Sequence, residues 1–130
     1  MRQAFNAASL ATPAFRYSHV VKVGPHIYLS GLLAQVPETG ALEGTTVGAQ
    51  ADRILQNLQA VMQELALDFS HLAMARIFTT AMERFSEINA AWEAVFNALD
   101  VRPPARTSIG VAALPMGALV EMEFTFYREG

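Results

Sequence analysis

The chain has 130 residues, 52% of them hydrophobic and 16% charged, with no cysteine and a formal charge of −3. Residues 1–130 are one domain's worth of sequence, long enough to close a core without staples. The missing cysteines exclude disulfides, thiolate metal sites and a cysteine nucleophile, and the negative balance argues against a general grip on nucleic acid.

So low a charge content, set against an average near 25%, leaves more apolar surface than a small domain can hide in its own core. An obligate homo-oligomer is the simplest destination for the surplus. No stretch approaches the ~20 apolar residues of a membrane span, and the start lacks the compact apolar run of a secretory signal. The first 37 residues hold Arg2, Arg16 and Lys22 but no acid, which is similar to a transit peptide. Strand-like sequence from Tyr17 leaves little room for such a leader, so the expected location is cytoplasmic, with no membrane contact.

In chain order, Arg2 to Asn6 is a strand if it finds a partner. Ser18–Val23 and His26–Ser30 read as two strands joined by the turn pair Gly24-Pro25. A loop with Pro37, Thr39 and Gly40 follows. From Thr46 the period changes: Ile54, Leu55, Leu58, Val61, Met62 and Leu65 mark one face of a helix ending near Leu65. Thr45 or Thr46 can cap it, but neither has Glu or Gln three places on. Ala73–Thr80 suits a strand. Arg84–Leu99 is a second helix with Phe85, Ile88, Trp92, Val95, Phe96 and Leu99 on one face, and Pro103-Pro104 forbids its continuation. Arg106–Val111 is a strand, Leu114–Gly117 a turn, and Ala118–Tyr127 the clearest strand, where Val120, Met122, Phe124 and Phe126 alternate with polar neighbours. Two helices with one apolar stripe each belong on a single face of an α+β sheet of five or six strands, leaving the other face open unless subunits cover it.

Few residues carry obvious chemistry. The chain has no Gly-rich phosphate loop, no nucleophile elbow and no histidine pair at helical metal spacing; His19, His26 and His71 are scattered. Ser30 and Ser108 lack a base in sequence. The methionine and aromatic stripes, Trp92 included, read as core. Arg106 opens a strand directly after Pro103-Pro104-Ala105. A guanidinium there suits a bidentate grip on a planar carboxylate, although on local grounds alone a structural or surface role is the readier reading. Glu121 lies on the polar face of its strand, which means water for a monomer and an interface for an oligomer.

At these residues the sequence resembles the RidA/YjgF family of imine deaminases. Pro104-Ala105-Arg106-Thr107-Ser108 and the run Leu114-Pro115-Met116-Gly117-Ala118-Leu119-Val120-Glu121-Met122-Glu123 carry the resemblance in both motif and separation. Leu29-Ser30-Gly31 resembles the family's Ser-Gly-Gln block, and Ile88-Asn89-Ala90-Ala91-Trp92-Glu93 its second helix. The likeness spans Tyr17 to Tyr127.

The resemblance implies a single RidA-like domain of the chorismate-mutase-like fold: a mixed six-stranded sheet, two helices on one face, and a homotrimer with a barrel-like sheet core. It implies hydrolysis of 2-imino acids, such as 2-iminopropanoate and 2-iminobutanoate, to 2-keto acids and ammonia, with no metal or organic cofactor. Arg106 then holds the carboxylate and Glu121 positions the water. Tyr17, Ser30, Gly31, Asn89 and Ser108 line a cleft between neighbouring subunits. Leu32 replaces the family's frequent glutamine and Ser108 its frequent cysteine, so the pocket wall is altered. Family members described as ribonucleases or translation inhibitors supply a competing reading, opposed here by the net charge and the sole lysine, Lys22. A non-catalytic trimer binding small carboxylates, or a chaperone-like apolar surface, are the others.

Overall fold

Eight elements form in a computed structural model of the chain, which describes residues 1–129. They are β1 (Arg2–Phe5), β2 (Val20–Val23), β3 (His26–Leu29), α1 (Val47–Glu64), β4 (Leu72–Thr79), α2 (Phe85–Phe96), β5 (Ala105–Gly110) and β6 (Val120–Tyr127). The strands join one sheet in the order β1-β2-β3-β6-β4-β5. β4 and β5 run parallel and the other neighbours antiparallel, so the sheet is mixed.

The alternation along β6 separates the two faces. Val120, Met122, Phe124 and Phe126 are buried, while Glu121, Glu123 and Thr125 are half-buried on the far side. Against the apolar side, α1 brings Ile54, Leu55, Leu58, Val61 and Met62, and α2 brings Ile88, Ala91, Trp92 and Phe96; all join one core cluster. Each of the larger side chains among these contributes roughly 1.5–3 kcal/mol when fully withdrawn from water. The opposite face carries no helix. Val23, Tyr28, Ile109 and Tyr127 stand on it at 42–43% exposure. An Arg76–Glu123 ion pair at 3.1 Å crosses its middle.

The ends of α1 are closed in different ways. Thr46 is the N-cap, its hydroxyl accepting from the Ala49 N–H at 3.1 Å without a capping box. Such a cap stabilises a helix by about 1 kcal/mol. At the other end Ala66 adopts φ +56°. There the Ala66 N–H donates to Gln63 O at 3.2 Å and the Leu67 N–H to Met62 O at 2.8 Å. This Schellman arrangement usually takes glycine. The Arg128 guanidinium donates to the Leu65 and Ala66 carbonyls at 2.9 and 2.7 Å, satisfying acceptors the helix leaves over.

Several boundaries differ from the sequence expectation by one to three residues. β1 does pair, with β2. β2 begins at Val20 rather than Ser18, because His19 is buried and engaged with the N-terminal loop. Its Nδ1 accepts from the Ala7 N–H and its Nε2 lies against Ala11 O, both at 2.9 Å. α2 ends at Phe96 rather than Leu99; beyond it the Leu99 N–H turns tightly to Phe96 O. Among the described residues, no helix is long and apolar enough to cross a membrane.

Candidate functional site

Glu121 leaves the bare face of the sheet near the end of β3. The bridge between Leu32 and Met122 brings Ser30 and Gly31 alongside β6. A Cβ on Gly31 would fall 2.5 Å from Glu121 Oε2 and 2.9 Å from its Cδ, so the missing side chain is what lets the carboxylate rest there. Tyr17, Ser30, Gly31 and Glu121 line one cleft of about 540 Å³, together with Phe15, Gln35 and Met116. Burial holds the Glu121 carboxyl above the usual carboxylate range, and the charge of Glu123 adds to the effect. Among the described residues no cation pairs with it. The Ser30 hydroxyl donates to Ser18 O at 2.6 Å, which commits its proton to structure.

Arg106 lies elsewhere. β5 is an edge strand, and its register sets Arg106 beside Ala75 and Ser108 beside Ile77, both buried on the helix side. Directly paired residues share a face, so Arg106 and Ser108 project toward the helices. Arg106 Nη2 donates to Asn89 Oδ1 at 2.9 Å. The guanidinium carbon is 5.2 Å from the centre of the Trp92 ring and 5.6 Å from that of Phe85. The arginine is half-buried and has no acidic partner among the described residues.

One chain therefore presents two partial constellations. Tyr17, Ser30, Gly31 and Glu121 gather on the bare side, and Arg106, Asn89 and Ser108 at the margin of the helix side. They do not meet within the chain. Among the described residues the guanidinium meets nothing acidic and the carboxylate meets no cation.

A sequence profile of the Endoribonuclease L-PSP family matches residues 7–127. The chain belongs to this family, the Rid/YjgF proteins. Among its relatives, Protein DfrA of Myxococcus xanthus is 38% identical over 82% of this chain and 81% of its own length. Reactive Intermediate Deaminase A, chloroplastic, of Arabidopsis thaliana is 31% identical over 82% of this chain and 56% of that protein. The crystal structure of RidA from the Antarctic bacterium Psychrobacter sp. superposes with a TM-score of 0.86 at 30% identity, covering 96% of this chain and 98% of that one. The sheet order and the two helices are thus those of a Rid/YjgF fold.

Within this Rid/YjgF chain, sequence reading placed Met116 in a motif and a turn but missed Phe15, Gln35 and Asn57, which help shape the cleft. Phe15 is 81% exposed at the cleft's rim. Met116 holds φ +61° within the 3₁₀ turn Pro115–Gly117, and Gln35 Nε2 reaches its sulfur at 3.7 Å. Strained non-glycine backbone of this kind gathers at functional sites. Asn57 fixes the wall behind: its Nδ2 donates to Gln35 O at 2.8 Å, while its Oδ1 accepts from Arg53 at 2.8 Å. Trp92 is core, as its helical position implies, and it also touches Arg106. A polar residue inside a helical apolar face, as Asn57 is, is the signal that could have found the loop anchor.

Proposed function

We propose that this protein hydrolyses reactive 2-imino acids, including 2-iminopropanoate and 2-iminobutanoate, to 2-keto acids and ammonia. The reading is supported by family membership, by a relative named a reactive intermediate deaminase, and above all by one observation. Arg106 is held by neutral partners and has no acidic one among the described residues, so its charge remains available to a substrate carboxylate.

The imine carbon is already electrophilic, more so when its nitrogen is protonated, so positioning supplies most of what the reaction asks for. Arg106 grips the carboxylate. Glu121, made a stronger base by burial, accepts a proton from a water as the water's oxygen bonds to the imine carbon. That proton then passes to nitrogen, and as the C–N bond breaks Glu121 takes the remaining hydroxyl proton, so that ammonia leaves and the carbonyl forms. Backbone groups beside Ser108 accept the iminium N–H. Tyr17, Ser30, Gly31 and Asn89 complete the walls.

This chemistry requires Arg106 of one subunit to face Glu121 of another, as a homotrimer closing the bare sheet face into a barrel-like core would arrange. Light scattering should then give three times the 14.1 kDa chain mass. The deciding assay lets an amino acid oxidase generate the imine in place and follows 2-keto acid and ammonia. Faster release with the protein supports the reading, and a rate equal to spontaneous hydrolysis rejects it.

A further inference from the structure

Phe85, Asn89 and Trp92 fall at positions i, i+4 and i+7 of α2, which places them on one face of the helix. That face meets the side chain of Arg106. Asn89 takes one N–H at 2.9 Å, and the two rings lie 5.6 and 5.2 Å from the guanidinium carbon. Behind them Trp92, 4% exposed, packs on Phe96 with ring centres 4.9 Å apart, and Phe96 on Phe69 at 5.2 Å. The support is therefore anchored in the core rather than at the surface.

The chemical character of this support is informative. An aspartate or glutamate would hold an arginine more strongly, but it would occupy the N–H edge and cancel the charge that a carboxylate ligand needs. An aromatic ring attracts the cation through its face and leaves that edge open. We propose that Phe85 and Trp92 are positioning residues, which with Asn89 fix the Arg106 guanidinium by cation–π contact and keep its remaining N–H groups free for a 2-imino or 2-keto acid carboxylate. This rests on the reading of Arg106 as the carboxylate anchor.

The test uses the full-length protein and 2-oxobutanoate, a product that binds without reacting. Calorimetry gives its Kd, and the coupled imine assay gives kcat and KM. Phe85→Leu and Trp92→Leu should each raise Kd and KM about three- to tenfold, the range expected for a partly desolvated cation–π contact, with kcat within about twofold of wild type. Trp92→Phe, which keeps an aromatic face, should stay near wild type. Trp92 is core, so if Trp92→Leu does not fold, half-buried Phe85 carries the test alone. Wild-type Kd in folded Phe85→Leu and Trp92→Leu overturns the positioning role, as does a fall in kcat with KM unchanged. Arg106→Gln separates the two readings. If Arg106→Gln loses affinity while the leucine variants keep it, the anchor stands and the aromatic support falls. If Arg106→Gln binds like wild type, the anchor itself falls.

Discussion

Arg106 and Glu121 occupy opposite faces of the same sheet, because Arg106 pairs with buried Ala75 and Glu121 with outward-facing Phe78. A reaction that uses both must draw them from different copies of the chain. Arg106→Ala and Glu121→Gln should each be strongly impaired alone, yet regain activity when mixed, unfolded and reassembled. If the assembly is the proposed trimer, random mixing gives both native groups to about a quarter of the shared sites. Assay of the reassembled mixture checks this; activity no greater than that of either variant would show that each site is built otherwise.

Arg106→Ala should lower kcat/KM on 2-iminobutanoate by about 10- to 150-fold, corresponding to the roughly 1.5–3 kcal/mol of a charge-assisted hydrogen bond. The proposed trimer should persist, since the side chain is half-buried and not in the core. Steady-state kinetics beside light scattering read both outcomes.

Gly31→Ala tests the seat of the carboxylate. The added methyl would displace the end of the Glu121 side chain, a flexible group, so the fold should survive. Misplacing a catalytic group by an ångström can cost about a hundredfold in rate. A fall in kcat of that order with little change in the Kd of 2-oxobutanoate is the expected pattern.

Glu121 also gives the protein a pH signature. Its folded pKa is raised, so the folded chain holds the proton more tightly than the unfolded one. Stability on this account is greatest below the usual carboxylate value of 4.5 and falls as pH climbs through the raised value. Glu121→Gln should therefore melt at a higher temperature than wild type at neutral pH, with the gain vanishing in acid below the ordinary value. Thermal unfolding at a series of pH values checks both sign and window.

Ala66 stands in the left-handed region, where glycine pays no Cβ penalty. Ala66→Gly should stabilise the chain by about 1 kcal/mol, read as a higher denaturant midpoint at unchanged slope.

The strands and helices followed from local pattern where one face was plainly oily. β6 and α1 are examples, and Thr46 capped where a hydroxyl before the periodic run suggested. β5 shows why the rest was hidden. Ile109 and Thr107 face outward while Arg106 and Ser108 face the helices, the reverse of what polarity alone would assign. An edge strand covered only at its margin can turn its charged residue toward the helices, and no reading of β5 by itself reveals that cover. Gly31 likewise owes its meaning to Glu121, ninety residues away in sequence and in contact in space. Phe85 and Trp92 looked like packing, and they are; their second contact is visible only once the strand after Pro103-Pro104 is laid beside α2.

Because β4 and β5 are parallel, no hairpin can join them, and the chain must cross the sheet before it returns. That detour is α2. The segment that topology compels is thus the one that cradles Arg106, so support and supported residue arrive as a single continuous piece of chain. A circular permutant opened between Pro103 and Pro104 would keep every contact while cutting that continuity. Its carboxylate affinity would measure how much of the anchor's order comes from the tether rather than from the cradle.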